Sequence, residues 1–178
     1  MTKLSLLFLT LLLTTASCGL LDNIIDPIEF TLTTPEVNFL LDEQEAAGTT
    51  TLVVRDLSLG IPQELDDEDV STSRLTSLRP ESITLRLVEL GDVDLSVIED
   101  ASVRIEAAGL APITFASGDL ALNAANTEAT LDVRDVDIAD ALLAPSADYF
   151  MTVTTNAPVP EATEIAVSMQ LRGEAEAL

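Results

Sequence analysis

The feature that most constrains the fold of this 178-residue chain is an alternation of apolar and polar residues with period two. In the stretch 82–88, Ile83, Leu85 and Leu87 fall on one side, and Ser82, Thr84 and Arg86 on the other. A strand sends successive side chains to opposite faces, whereas a helix repeats every 3.6 residues, so this pattern makes an apolar face only when extended. The alternation recurs at Ile28/Phe30/Leu32, Val37/Phe39/Leu41, Leu52/Val54, Val103/Ile105/Ala107, Ala129/Leu131/Val133, Tyr149/Met151/Val153 and Ile165/Val167/Met169/Leu171. Ile113 and Phe115 form a shorter run, followed by Leu120 and Leu122. One dry and one wet face per strand fits antiparallel sheets rather than a parallel α/β core. About eight or nine such strands predict an all-β, antiparallel two-sheet sandwich. Turn chemistry is expected at Gly118-Asp119 and from Asn123 to Asn126. The stretch Asp137 to Ala144, stopped before Pro145, predicts one short helical turn, the most helix expected. Pro62 to Ser73 carries Glu64, Asp66, Asp67, Glu68 and Asp69 with few apolar residues, and predicts a solvated acidic loop at 62–73.

Cys18 is the only cysteine, so no intrachain disulfide can support that sandwich and packing must hold it. The residue follows Lys3, an apolar run from Leu4 to Leu13, and Thr14-Thr15-Ala16-Ser17. A positive start, a short apolar core and small residues at the end form the layout of a secretory signal. Crossing a bilayer takes about 20 apolar residues, and Leu4 to Ala16 supplies only thirteen. Three readings of Cys18 stand. Cleavage between Ser17 and Cys18 would leave Cys18 as a lipidated terminus. Cleavage after Ala16 would leave a free thiol. An uncleaved leader would itself be the anchor.

The segment ending in Thr15-Ala16-Ser17-Cys18 resembles a bacterial lipoprotein signal, with Thr15 where such signals usually carry leucine. The resemblance implies residues 1–17 as a signal peptide, acylation of Cys18, and a lipidated tether over 18–27. Gly19 replaces the Asp that tends to retain lipoproteins in the inner membrane, which implies an outer-membrane location facing the periplasm or the exterior. The domain is then 28–178. Its strand pattern, acidic surface and leader are together similar to bacterial envelope lipoproteins with immunoglobulin-like sandwiches. Leu75-Thr76-Ser77-Leu78-Arg79-Pro80-Glu81-Ser82-Ile83-Thr84-Leu85 resembles a segment of small lipoproteins from the Bacteroidetes group. The resemblance brings no activity and no cofactor with it.

Removing residues 1–17 from the 178 leaves 161, enough for one domain with a sizeable core. All 31 acids follow Leu21, against seven arginines (Arg55, Arg74, Arg79, Arg86, Arg104, Arg134 and Arg172), a side-chain charge of −24. Such a chain has no basic patch for nucleic acid or for anionic lipid. Its self-repulsion opposes the compact state at low salt, and at molar salt a Debye length of about 3 Å screens it. Abundant carboxylates with no lysine beyond Lys3 are similar to proteins of salt-loving organisms.

The chain contains no histidine, so the commonest general base and metal ligand is missing. Beyond the leader it has one tyrosine, Tyr149, and four phenylalanines, Phe30, Phe39, Phe115 and Phe150, too few for stacking platforms. No G-x-S-x-G, phosphate loop or zinc spacing occurs. Three acidic groups remain: Asp92, Asp94, Glu99 and Asp100; Asp132, Asp135, Asp137 and Asp140; and Asp66, Asp67, Glu68 and Asp69. Calcium takes six to eight oxygens, but none of the groups has the EF-hand spacing, and solvated surface is the expectation. The arginines are expected to pair with acids across strands. These observations point to a non-enzymatic, lipid-anchored envelope protein with a structural or interaction role, its partner another envelope protein. The alternative is a carrier with an apolar cavity for a small hydrophobic ligand.

Overall fold

The computed structural model describes residues 27–89 and 93–177; the leader, Cys18 and the tether up to residue 26 lie outside them. In chain order the elements are β1 (Ile28–Thr33), β2 (Val37–Leu41), β3 (Thr49–Leu57), α1 (Ile61–Asp67), β4 (Leu75–Leu87), β5 (Ile98–Ala107), β6 (Ile113–Asp119), β7 (Ala121–Leu122), β8 (Glu128–Leu131), α2 (Ala139–Leu142), β9 (Ala147–Thr155) and β10 (Thr163–Ala175). Every strand pairing is antiparallel. One sheet has six strands, in the order β1-β10-β4-β8-β7 with β2 also on β10, and the other has four, β3-β9-β5-β6. The all-β, two-sheet sandwich expected from the alternation is the fold observed.

The alternating residues form the core. Val37, Phe39 and Leu41, Ile83, Leu85 and Leu87, and Ile165, Val167, Met169 and Leu171 are buried on the six-stranded sheet. Val103, Ile105 and Ala107, with Tyr149, Met151 and Val153, are buried on the four-stranded one. All join a single cluster. Burial at about 25 cal/mol per Å² of apolar surface is the main favourable contribution, and no disulfide is required.

β1 and β2 lie end to end on one edge of β10, β1 opposite Gln170–Ala175 and β2 opposite Thr163–Val167. Pro35 separates them and cannot donate to the ladder. Thr34 repairs the gap. Its N–H donates to the Met169 carbonyl at 2.9 Å, and its hydroxyl accepts the Met169 N–H at 3.1 Å. On the opposite side the chain leaving β8 crosses to the other sheet. Val133 bridges Ala116 of β6, Ser117 N–H donates to Asp132 O at 3.1 Å, and Arg134 N–H donates to Phe115 O at 2.9 Å. That crossing covers the β6 edge.

Several expectations need correction. The stretch 62–73 is not a solvated loop. It holds most of α1, and Thr72–Arg74 form a 3-10 turn capped by the Ser71 side chain. Ile61 and Leu65 are four residues apart, so they share one helix face, and both are fully buried, with Val70 buried behind them. Pro62 suits the first helical turn, where its missing N–H has no intrahelical acceptor to lose. The acids occupy the outer face and hide this pair from a reading by composition. With α2 inside the predicted 137–144 stretch, there are two short α-helices among the described residues rather than at most one. There are ten strands rather than eight or nine, β7 being only two residues long. Gly118 and Asp119 make no turn; they end β6 opposite Ala101 and Asp100. The 123–126 turn forms as expected, the Asn123 Oδ1 accepting the N–H groups of Ala125 and Thr127, each at 3.1 Å.

Candidate functional site

Cys18, the one residue with a predicted chemical role, lies outside the described residues. The chain enters through Pro27 into β1, whose first residue, Ile28, is opposite Ala175 near the end of β10. Ala175 is in turn opposite Leu75, the first residue of β4. This end of the sheet is opposite its Leu41/Thr163 end.

Of the acidic groups, Asp92 lies outside the described residues, and Asp94, Asp135 and Asp137 take local structural duties. Asp137 Oδ1 accepts the N–H groups of Leu78 and Ala139, each at 3.0 Å. Asp135 pairs with Arg79 at 2.7 Å. Asp94 caps the 3-10 turn Leu95–Val97, accepting the Ser96 N–H at 2.8 Å and the Ser96 hydroxyl, with Asn126 Nδ2 at 3.3 Å on its other oxygen. The hydrogen bonds from Ser96 hold the Asp94 carboxyl below the ordinary aspartate value of 3.8. Asp66, Asp67, Glu68 and Asp69 run along the exposed end of α1 and just beyond it. Among the described residues, no three acids are arranged to hold a metal ion.

The expected strand-to-strand pairing with acids is met by Arg55, while Arg79 and Arg86 pair with acids outside the strands. Arg55 meets Asp148 at 3.1 Å, and Arg86 reaches both oxygens of Glu36, the nearer at 2.8 Å. The neighbouring carboxylates raise the Arg79 and Arg86 guanidinium groups above their ordinary range, through hydrogen bonds first and charge second. Arg104 differs. Its partner, Glu106 at 2.9 Å, lies on the same strand, and its guanidinium stacks over Phe150 of β9, 4.4 Å from the ring centre. Arg74 binds the main-chain carbonyl of Glu176. Burial pushes the Tyr149 hydroxyl well above the usual phenol range.

Three surface clefts are defined. One of about 320 Å³ lies beside Asp56, Glu106 and Asp148. A second, about 300 Å³, lies beside Leu40, Val93 and Glu164. The third, about 490 Å³, runs between β2 and β3, lined by Leu40, Asp42, Glu43, Gly48 and Thr49–Val53. All three are open and partly acidic, so none of them is the enclosed apolar cavity that a hydrophobic-ligand carrier would need.

The third cleft borders a feature that the alternation alone could not locate. β3 pairs with β9 on one side and stands at the end of its sheet on the other. Its run Thr49–Val54 has no charged residue, proline or glycine in a chain that is 22% charged. The missing charge is visible in the sequence, but its position at a sheet edge is not. No protein-family model, curated protein or solved structure matches the chain.

Proposed function

We propose that this chain is a lipid-anchored cell-envelope protein whose β-sandwich has a structural or protein-interaction role rather than a catalytic one. The observation that carries the reading is the leader, an apolar run of signal length ending in Thr15-Ala16-Ser17-Cys18. Two observations support it. The chain enters the sandwich at one pole, where a tether from Cys18 would hold the domain off a membrane without disturbing a sheet. Three of the carboxylates weighed as candidate chemistry, Asp94, Asp135 and Asp137, are engaged in capping and ion pairing. Acylation of Cys18, an outer-membrane location and another envelope protein as partner belong to this proposal.

The test is membrane fractionation of the full chain expressed in a two-membrane bacterium. The wild type is expected in the membrane fraction, and Cys18→Ser in the soluble fraction. A wild type that fractionates as soluble, or a Cys18→Ser variant that stays with membranes, overturns the anchor. Crosslinking in intact membranes that recovers no reproducible partner counts against the interaction role.

A further inference from the structure

We infer that the free edge of β3 is a self-association surface, and that a second copy of this chain adds its own β3 antiparallel to it. An exposed strand edge presents unpaired main-chain donors and acceptors, and proteins normally blunt such edges with charge, proline or cover. The other long edges of this sandwich are blunted. The β1/β2 edge is broken by Pro35 and carries Glu29 and Glu36, and β6 is covered by the chain at 132–134. β3 is nine residues long, its first six residues carry no charge or proline, and β2 of the other sheet approaches it without pairing. Val53 is 38% exposed there, and Leu40 across the cleft is 57% exposed.

The charges at the two ends of this edge single out a second copy as the occupant. Arg55, which pairs with Asp148 of its own chain at 3.1 Å yet keeps its side chain 68% exposed, stands towards one end of β3. Asp42 and Glu43 flank the other end, lining the same cleft as Thr49–Val53. Antiparallel pairing of two β3 strands about Leu52 sets Arg55 of each copy opposite Thr49 of the other, beside its Asp42 and Glu43. The arrangement is two-fold and self-complementary, as an isologous dimer requires. It also brings the acidic chains, each of net charge −23, together where neither strand offers carboxylates between Thr49 and Val54. The two four-stranded sheets would become one continuous sheet of eight. The inference does not depend on the lipid anchor.

The test is sedimentation of the full chain in non-ionic detergent at about 1 M salt, where a Debye length of about 3 Å removes long-range repulsion but not contact pairs. The wild type is expected to dimerise reversibly in the micromolar range, at about 1–100 µM, as suits a small interface. Amide exchange over Thr49–Val54 is expected to slow as protein concentration rises. Arg55→Glu is expected to weaken the dimer at least about tenfold, and adding Glu43→Arg to restore it. Far-UV circular dichroism checks that each variant stays folded. A wild type that remains monomeric overturns the inference and leaves the edge to an extended segment of a different protein. A dimer indifferent to Arg55→Glu, with β3 amides unprotected, overturns it equally.

Discussion

Gly173 of β10 is opposite Phe30 of β1, and the Phe30 ring folds over it. A Cβ added at Gly173 would fall inside the contact distance of three ring carbons, with Cε1 at 2.7 Å and two others closer. Gly173→Ala therefore sets two effects against each other. Removing a glycine from a strand interior gains about 0.5–1 kcal/mol. Forcing an extra methyl into occupied space costs about 1–3 kcal/mol. The steric cost wins here, because the ring must leave the position in which it is packed against the core. A net loss of about 1–2 kcal/mol is expected, a fall in Tm of about 2–8 °C for a domain of this size. Urea unfolding at fixed salt measures it, with Phe30→Ala completing a double-mutant cycle. Without the ring the steric cost vanishes, so Gly173→Ala should become neutral or stabilising by about 0.5 kcal/mol. A wild-type background in which Gly173→Ala is already neutral, or a cycle with no coupling, refutes the reasoning.

Thr34→Val leaves the buried Met169 N–H without its acceptor and should cost about 1–3 kcal/mol in urea unfolding, whereas Thr34→Ser should be close to neutral. Asp94→Ala removes a cap and should cost about 1 kcal/mol at neutral pH. The folded-state pKa of Asp94 lies below the ordinary 3.8, so its contribution is present above that value and lost as pH falls through the folded pKa. The gap between wild type and Asp94→Ala in pH-dependent unfolding should therefore close only below about pH 4. Glu36→Gln breaks an exposed ion pair and should shift stability by less than about 1 kcal/mol, checked in the same assay. Raising salt from about 0.1 to 2 M should raise the unfolding temperature steeply as repulsion within this acidic chain, of net charge −23, is screened, and a flat thermal-scan profile contradicts this.

Much of the sandwich was legible because burial on one face of a strand forces alternation. Ile165, Val167, Met169 and Leu171 could be assigned inward before any pairing was known, and all four are buried. α1 was not legible, since only Ile61 and Leu65, with Val70 just beyond, mark its inner side among five acids from Glu64 to Asp69 and their polar neighbours, too few to outweigh composition. The alternation Ala129/Leu131/Val133 was read correctly as extended chain, but nothing in it records that Val133 changes sheets. Nothing in the local sequence singles out Thr34, whose role depends on Met169, 135 positions away. The free edge of β3 depends likewise on strand order, which long-range pairing sets and local pattern does not.

Intact mass of the membrane-extracted protein tests the central proposal most directly. The account predicts a chain that begins at Cys18, lacks residues 1–17 and carries the added mass of a diacylglyceryl group on that residue. A chain that retains residues 1–17, or one with a free thiol at Cys18, would contradict it.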